Sequence, residues 1–220
     1  MKYHIITIFP EIFSSYFSHS IIARAQKNNL IDIEIHDLRK WATDKHKTVD
    51  DTPYGGGAGM IFKVEPLYRA LKELAPKKKK TRKIILTSAK GKTFNQSIAK
   101  SYAKNLTEII IICGRYEGVD ERIKEFIDEE VSIGNYVLTG GEIAAMTIVD
   151  ASMRLLPGVL GNKESVISES HSKPGILEYP QYSKPQSFKT TKKTLSVPEV
   201  LLSGNHEEIK KWRQKHQKKQ

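Results

Sequence analysis

Hydrophobic and polar positions along this 220-residue chain change period repeatedly, and the changes divide it into short elements. Runs over 3–9, 31–35, 83–88, 108–113 and 131–138, rich in isoleucine, valine and aromatic residues, predict strands. Between them, apolar residues at helical spacing predict helices over 10–18 leading into 21–28, and over 65–74, 95–105, 120–126 and 141–156. Strands alternating with helices predict an α/β domain built on a mainly parallel sheet. The stretch Ile109-Ile110-Ile111-Ile112 is apolar on both faces, the pattern of a central parallel strand. Periodicity fades after Pro157, and 158–187, with repeated Gly, Ser, Lys and Pro, reads as a long loop or linker. A small helical module follows. Ser196-Val197-Pro198-Glu199 marks a helix start, and Ser203-Gly204 stops it. Asn205, with Glu208 three residues on, caps a last helix that carries Ile209 and Trp212 on its apolar side and runs to about Lys215. The expected division is a domain over 1–160, a linker over 161–187 and a small basic helical domain over 188–220.

Charge changes this picture more than composition does. Thirty-six Lys and Arg against 25 Asp and Glu leave a net charge of +11. Nine of those cations, with only three acids, lie in 189–220. A second run, Lys77-Lys78-Lys79-Lys80-Thr81-Arg82-Lys83, leads into the third predicted strand. Basic excess so placed favours a polyanionic partner, because neutralised phosphates release counterions; a solvated basic surface produces the same count. A single cysteine, Cys113, leaves no intrachain disulfide to form and fits a reducing compartment. No stretch has the length of a membrane span, and the chain opens on a strand pattern, not a signal peptide. A soluble cytoplasmic protein is expected.

The glycines point to a site. One apolar run meets Gly134 and then the pair Gly140-Gly141 before a helical pattern; another ends at Cys113-Gly114 and continues to Gly118. Glycines at strand ends let the backbone approach a ligand, and two such loops suggest one pocket at the carboxyl ends of neighbouring strands. The spacing is not that of a dinucleotide fingerprint. Thr52-Pro53-Tyr54-Gly55-Gly56-Gly57-Ala58-Gly59 looks like a phosphate cradle but lacks the Lys-Ser/Thr ending of a P-loop, and Asp50 and Asp51 beside it would repel a triphosphate. A mobile lid is the better reading. His4, His46 and His206 show no metal-ligand spacing with Cys113, so no metal site is expected from them.

Several stretches together resemble one family. They are Asp44-Lys45-His46-Lys47-Thr48-Val49-Asp50-Asp51 with Pro53-Tyr54-Gly55-Gly56-Gly57-Ala58-Gly59-Met60; residues 113–122; residues 127–142; Pro157-Gly158-Val159-Leu160-Gly161; and Ser203-Gly204-Asn205-His206-Glu207-Glu208-Ile209 with Lys211-Trp212-Arg213. Their identity and order resemble the bacterial tRNA (guanine-N1)-methyltransferases that act on the guanosine just 3′ of the anticodon. The resemblance implies a SPOUT-class fold with a deep trefoil knot, S-adenosylmethionine as cofactor, tRNA as substrate and a homodimer with active sites at the subunit interface. Pattern alone would not predict a knot, since chains avoid them. Where the family usually has Asp-Ser-Phe, this chain has Glu169-Ser170-His171, and it ends sooner after Trp212-Arg213 than many relatives do.

The chemistry defines what such a site must contain. Guanine N1 carries a proton and attacks a sulfonium methyl group only once that proton leaves, so a carboxylate must stand within hydrogen-bond reach. A cation must hold the charge that moves onto O6, and a planar guanidinium suits a guanine edge. The resemblance implies Glu169 and Arg154 for these roles. On sequence alone, Glu169 reads as a solvated acid and Arg154 as the partner of an interface carboxylate. The resemblance further implies that the cofactor lies against the backbone of Ile133, Gly134, Asn135, Tyr136, Val137 and Leu138 and of the Gly114, Tyr116 and Gly118 loop. Ser132, Gly140 and Gly141 would shape the walls, and Leu86, Thr87 and Ser88 would face the adenosine. Glu117 is placed near the methionyl amine or a magnesium ion. Valine at Gly134 or Gly140 is expected to intrude on the ligand space. Lys210, Lys211, Arg213, Lys215 and the basic run at 77–80 are expected on tRNA phosphates, and Asp50 at the target nucleotide. A noncatalytic basic RNA-binding protein and a SPOUT enzyme acting on ribosomal RNA are the competing readings; S-adenosylmethionine binding and the choice of RNA separate them.

Overall fold

The computed structural model describes residues 1–161 and 169–219. Contacts divide the chain into one unit spanning Met1–Gly161 and another spanning Asn162–Gln220. In the first, five strands form one parallel sheet: β1 (Lys2–Thr7), β2 (Asp32–Asp37), β5 (Arg82–Thr93), β6 (Glu108–Cys113) and β7 (Glu129–Ser132), in the order β2-β1-β6-β5-β7. Two short strands, β3 (Asp50–Asp51) and β4 (Ile61–Phe62), pair antiparallel outside it. The helices are α1 (Ser14–Phe17), α2 (Ser20–Lys27), α3 (Val64–Leu74), α4 (Gln96–Asn105) and α5 (Glu142–Met153).

All six residues of β6 are buried, because β1 and β5 flank it and a hydrophobic layer covers each face. Ile109 and Ile111 pack with Tyr3, Ile5, Ala145 and Ile148 on one face. Ile110 and Ile112 pack with Ile6, Leu67, Ala70 and Leu71 on the other. The expected both-sided apolar strand is therefore the sheet centre, as two-sided burial requires. Local signals set several element ends: Asn95 begins α4 by accepting a hydrogen bond from Ile98 N at 3.1 Å.

Several elements differ from the sequence expectation, among them the helix expected from Ser196, which is the end of a strand followed by a 3-10 turn over Glu199–Leu201. The last strand stops at Ser132, where the Ser132 hydroxyl bonds the backbone of Gly134 at 2.9 and 3.3 Å and turns the chain. Residues 133–138 are consequently loop, not strand. β5 instead runs on past residue 88 to Thr93, with a register shift against β7 between Thr87 and Lys92. The predicted helix over 10–18 is a 3-10 turn, Pro10–Phe13, followed by α1, and Glu121–Phe126 is likewise a 3-10 helix. The β3–β4 pair was not foreseen, because two-residue strands carry no period.

In the second unit, α6 (His206–Lys215) begins where expected, with Asn205 Oδ1 accepting from Glu207 N and Glu208 N. It is accompanied by β8 (Ile176–Leu177) paired with β11 (Lys218–Lys219), and β9 (Ser187–Lys189) paired with β10 (Thr194–Ser196). Strand β8 thus lies inside the stretch read as linker. The Trp212 ring stacks on His216 at 4.1 Å and meets Tyr179 and Tyr182. None of the described residues of this unit is fully buried.

The bulge in β5 generates a test. A Cβ on Gly91 would lie 2.5 Å from Val131 N, so Gly91→Ala must push two strands apart. We expect it to cost about 1–3 kcal/mol in urea unfolding. Gly161→Ala, with no atom within 4 Å of its Cβ, should cost little.

Candidate functional site

The carboxyl ends of β5, β6 and β7 converge on a cavity of about 300 Å³. Three stretches line it: the continuation of β5 from Leu86 to Lys90, the loop after β6 from Gly114 to Val119, and the chain from Val131 to Gly141. Of the residues expected at a cofactor, all but Asn135 belong to its wall. Tyr136 and Val137 are 55% and 86% exposed, so the loop after β7 offers an open flank that nothing in its own unit covers. At the rim, Lys124 Nζ lies 2.6 Å from Glu121 and 2.5 Å from Glu130.

Two loops close on each other by direct backbone approach. Gly141 N donates to Gly114 O at 2.8 Å, and Gly140 bridges Arg115 in antiparallel fashion. A Cβ on Gly141 would stand 1.9 Å from Thr87 Oγ1 and 2.9 Å from Cys113 Cα, so this position admits only glycine. At Gly140 a Cβ would meet Arg115 Nε at 2.2 Å and Glu142 Oε2 at 2.5 Å. A side chain there strikes the cavity's support first, which corrects the expectation that valine at Gly140 would simply occupy ligand space. At Gly134 the obstacle is the Tyr136 ring, which also lines the cavity.

That support is a buried ion pair the sequence reading did not single out. Glu142, 2% exposed at the start of α5, accepts from Arg115 Nε at 3.0 Å and from Thr7 Oγ1 at 2.8 Å. The Arg115 guanidinium also donates to Thr139 O at 3.3 Å and lies 4.7 Å from the centre of the Phe9 ring. The pair joins the ends of β1 and β6 to the first turn of α5. Its sequence signals were visible, an arginine after Gly114 and an acid after Gly140-Gly141, but an acid at a helix start ordinarily reads as a solvated dipole partner. Nearby, burial in the core drives the Cys113 thiol well above its ordinary pKa, which makes it a structural residue and not a nucleophile.

The glycine-rich loop returns to the same place. Gly55, Gly56, Gly57 and Gly59 all have positive φ, from 78° to 126°, and Tyr54 is fully exposed. Glu117 N donates to Met60 O at 3.0 Å and Phe62 N to Gly118 O at 3.0 Å, so β4 braces the loop after β6. Asp50, paired with Phe62 in the β3–β4 ladder, is held on that brace.

Arg154 is not brought to this cavity. It follows α5, twelve residues beyond Glu142, or roughly 18 Å along the axis. There it lies beside Asp150, whose carboxyl burial raises while the Arg154 charge and a Tyr16 hydrogen bond oppose the rise. Glu169 belongs to the second unit, partly buried, with its carbonyl accepting from Ser172 N at 3.0 Å. Ser168, just before it, lies outside the described residues. Lys210, Lys211, Arg213 and Lys215 are all exposed on α6, with Lys211 3.0 Å from Glu208 and Arg213 5.0 Å from the centre of the Tyr179 ring.

The buried pair generates the second test. Arg115→Ala leaves the Glu142 carboxylate buried without its cation and should cost about 3–5 kcal/mol of stability. Adding Glu142→Gln should recover part of that loss in the double variant, read by denaturant unfolding. A cost under about 1 kcal/mol for Arg115→Ala would show that the pair supports nothing.

Residues 1–220, the whole chain, match the family model described as tRNA (Guanine-1)-methyltransferase TrmD. The chain is 53% identical over 215 residues to the tRNA (guanine-N(1)-)-methyltransferase of Dictyoglomus turgidum, covering 98% of this chain and 84% of that protein. It is 50% identical over 220 residues to the protein of the same name from Geobacter sp. strain M21, covering 100% and 86%. With the Clostridium beijerinckii protein, again of that name, it shares 49% identity over 213 residues, covering 97% and 85%. Matched by the family model from end to end and by these relatives along most of their length, the chain belongs to the tRNA (guanine-N1)-methyltransferase family.

Proposed function

We propose that this chain methylates N1 of the guanosine immediately 3′ of a tRNA anticodon, using S-adenosylmethionine, as a cytoplasmic homodimer whose sites form between subunits. Family membership sets the class: the chain is a tRNA (guanine-N1)-methyltransferase. The observation that carries the finer reading is the cavity where β5, β6 and β7 end, walled by the backbone of two glycine-bounded loops. Its donor set suits the cofactor. Leu86, Ile133 and Leu138 offer apolar surface to a flat base, Ser88 and Ser132 offer hydroxyls, and Glu117 offers a carboxylate to an ammonium group or a magnesium ion. The bound cofactor would supply the electrophilic methyl group on a sulfonium sulfur. The return of the chain at Gly141, packed against the ends of β5 and β6, supports the knotted path expected of the SPOUT class.

The remaining steps belong to side chains. Glu169 takes the N1 proton as the nitrogen attacks, and Arg154 holds the charge that gathers on O6. The distance along α5 between the cavity and Arg154 supports a site completed by a second subunit. So does the apolar surface around it: α5 is largely apolar on every side, Ile143 is 57% exposed, and Phe9, Ile12 and Tyr16 are exposed as well. The cations of α6 and of 77–80 would hold tRNA phosphates, with Asp50 near the target nucleotide. Among the described residues no helix is long and apolar enough to cross a membrane.

The direct test is to incubate tRNA transcripts with labelled donor and map the modified base. Label on N1 of the guanosine 3′ of the anticodon is expected; label only on ribosomal RNA, or none, would refute the reading. In the same assay Glu169→Gln should slow single-turnover methylation by about 10²–10⁴, with donor binding nearly unchanged, while Glu169→Asp keeps substantial activity. Equal rates for wild type and Glu169→Gln across pH would remove Glu169 as the base.

The shared site has its own test. Arg154→Ala and Gly134→Val should each be inactive, and a mixture should regain one working site per heterodimer. A mixture that stays inactive although heterodimers form would place each site within one chain.

A further inference from the structure

On β1 and the edge strand β2, away from the cavity, a second cluster of functional groups lies outside the methylation chemistry. We propose that His4, Glu34 and His36 bind one divalent first-row metal ion of the zinc class. His4 Nδ1 lies 3.0 Å from His36 Nε2 and 3.2 Å from Glu34 Oε2, and His36 Nε2 lies 3.7 Å from the same oxygen. Three ligands of a tetrahedral zinc ion, each about 2.0–2.1 Å from the metal, stand roughly 3.3 Å apart. The three atoms thus already form one face of such a shell, and two imidazoles with one carboxylate are a ligand set that zinc accepts.

The surroundings suit an ion. His4 Nε2 faces Glu108 Oε1 at 3.6 Å, and Glu108 is held from behind by Lys79 and Arg82. With an ion on His4 Nδ1, the ring proton stands on Nε2 and points at Glu108, the outer carboxylate partner that ligating histidines commonly have. Lys2 Nζ, 2.5 Å from Glu34 Oε1, occupies the other carboxylate oxygen and leaves Oε2 for the ion. Entry is open, because β2 is an edge strand and the Glu34 side chain is 41% exposed. Residues 34 and 36 alternate onto one face of β2, and parallel pairing sets His4 opposite Glu34. The ion would therefore clip the edge strand to β1.

The experiment is a zinc titration of chelator-stripped, full-length protein against a chromophoric competitor, paired with melting curves. Wild type should bind one equivalent and melt at a higher temperature with zinc. His36→Gln and His4→Gln should each abolish the shift and weaken binding more than about 100-fold; Glu108→Gln, removing the outer partner, should weaken it by about 10- to 100-fold. His206→Gln, in the other unit, should bind as wild type does. Cobalt in place of zinc should give a low-symmetry visible spectrum that His36→Gln loses. Absence of stoichiometric binding in wild type, or equal affinity in wild type and His36→Gln, overturns the proposal whatever the variants' folding. Because neither histidine lies at the methylation cavity, methylation by His36→Gln should stay at the wild-type rate.

Discussion

The close approach at Gly141 governs the rest of the first unit. Its amide meets Gly114 O, and its missing Cβ leaves room for Thr87 Oγ1 and the Cys113 backbone. The end of β6 and the start of α5 are thereby drawn against β5 at Thr87. The loops between them have no choice but to arch over a common space. The buried Arg115–Glu142 pair then locks the first turn of α5 to that junction. A buried pair of this kind adds little net stability relative to an apolar substitute, because desolvation offsets attraction. Its effect here is orientation: it gives the loop after β6 and the start of α5 a single relative placement.

From that junction α5 carries the chain away from the cavity, and the physical consequence is a division of labour. A parallel sheet points the carboxyl ends of all its strands the same way, so the loops that leave the strands gather at that edge, where small ligands bind. The side chains proposed to take the proton and hold the developing charge lie elsewhere. Arg154 stands a helix length off, and Glu169 sits in a separate compact unit. In the proposed reading, binding surface and reactive groups lie on different elements, an arrangement that a second subunit or a bound RNA would complete.

The two ends of the sheet differ for the same topological reason. At the carboxyl ends, glycines and loops leave room. At the amino ends of β1, β2, β5 and β6, Lys2, His4, Glu34, Arg82 and Glu108 lie side by side on one face beyond the reach of the apolar layer. Arg82 faces Glu108 at 3.0 Å and donates to Lys77 O at 2.7 Å, while Lys79 Nζ lies 3.2 Å from Glu108, so part of the basic run at 77–80 is committed to this network. Charge counted along the chain overstates what is free to meet an RNA.

Much of the fold was legible because it rests on local period. Strands β1, β2 and β6, helices α2 to α6 and the Asn205 cap follow from alternation, helical spacing and capping chemistry, which neighbouring residues determine among themselves. The two-sided apolar run at 109–112 placed β6 at the sheet centre, since no other environment buries both faces. The glycine spacing likewise announced a cavity at strand ends. What the sequence could not decide are relations between residues distant along the chain. Ser132 ends β7 by a hydroxyl turn that an apolar continuation disguised. Arg115 finds Glu142, and Thr7 joins them, only once the ends of β1 and β6 meet the first turn of α5. His4 and His36, thirty-two residues apart, become neighbours through strand pairing. Period records which way a side chain points; only the packed sheet decides what it meets there, because pairing register and burial are properties of the whole core.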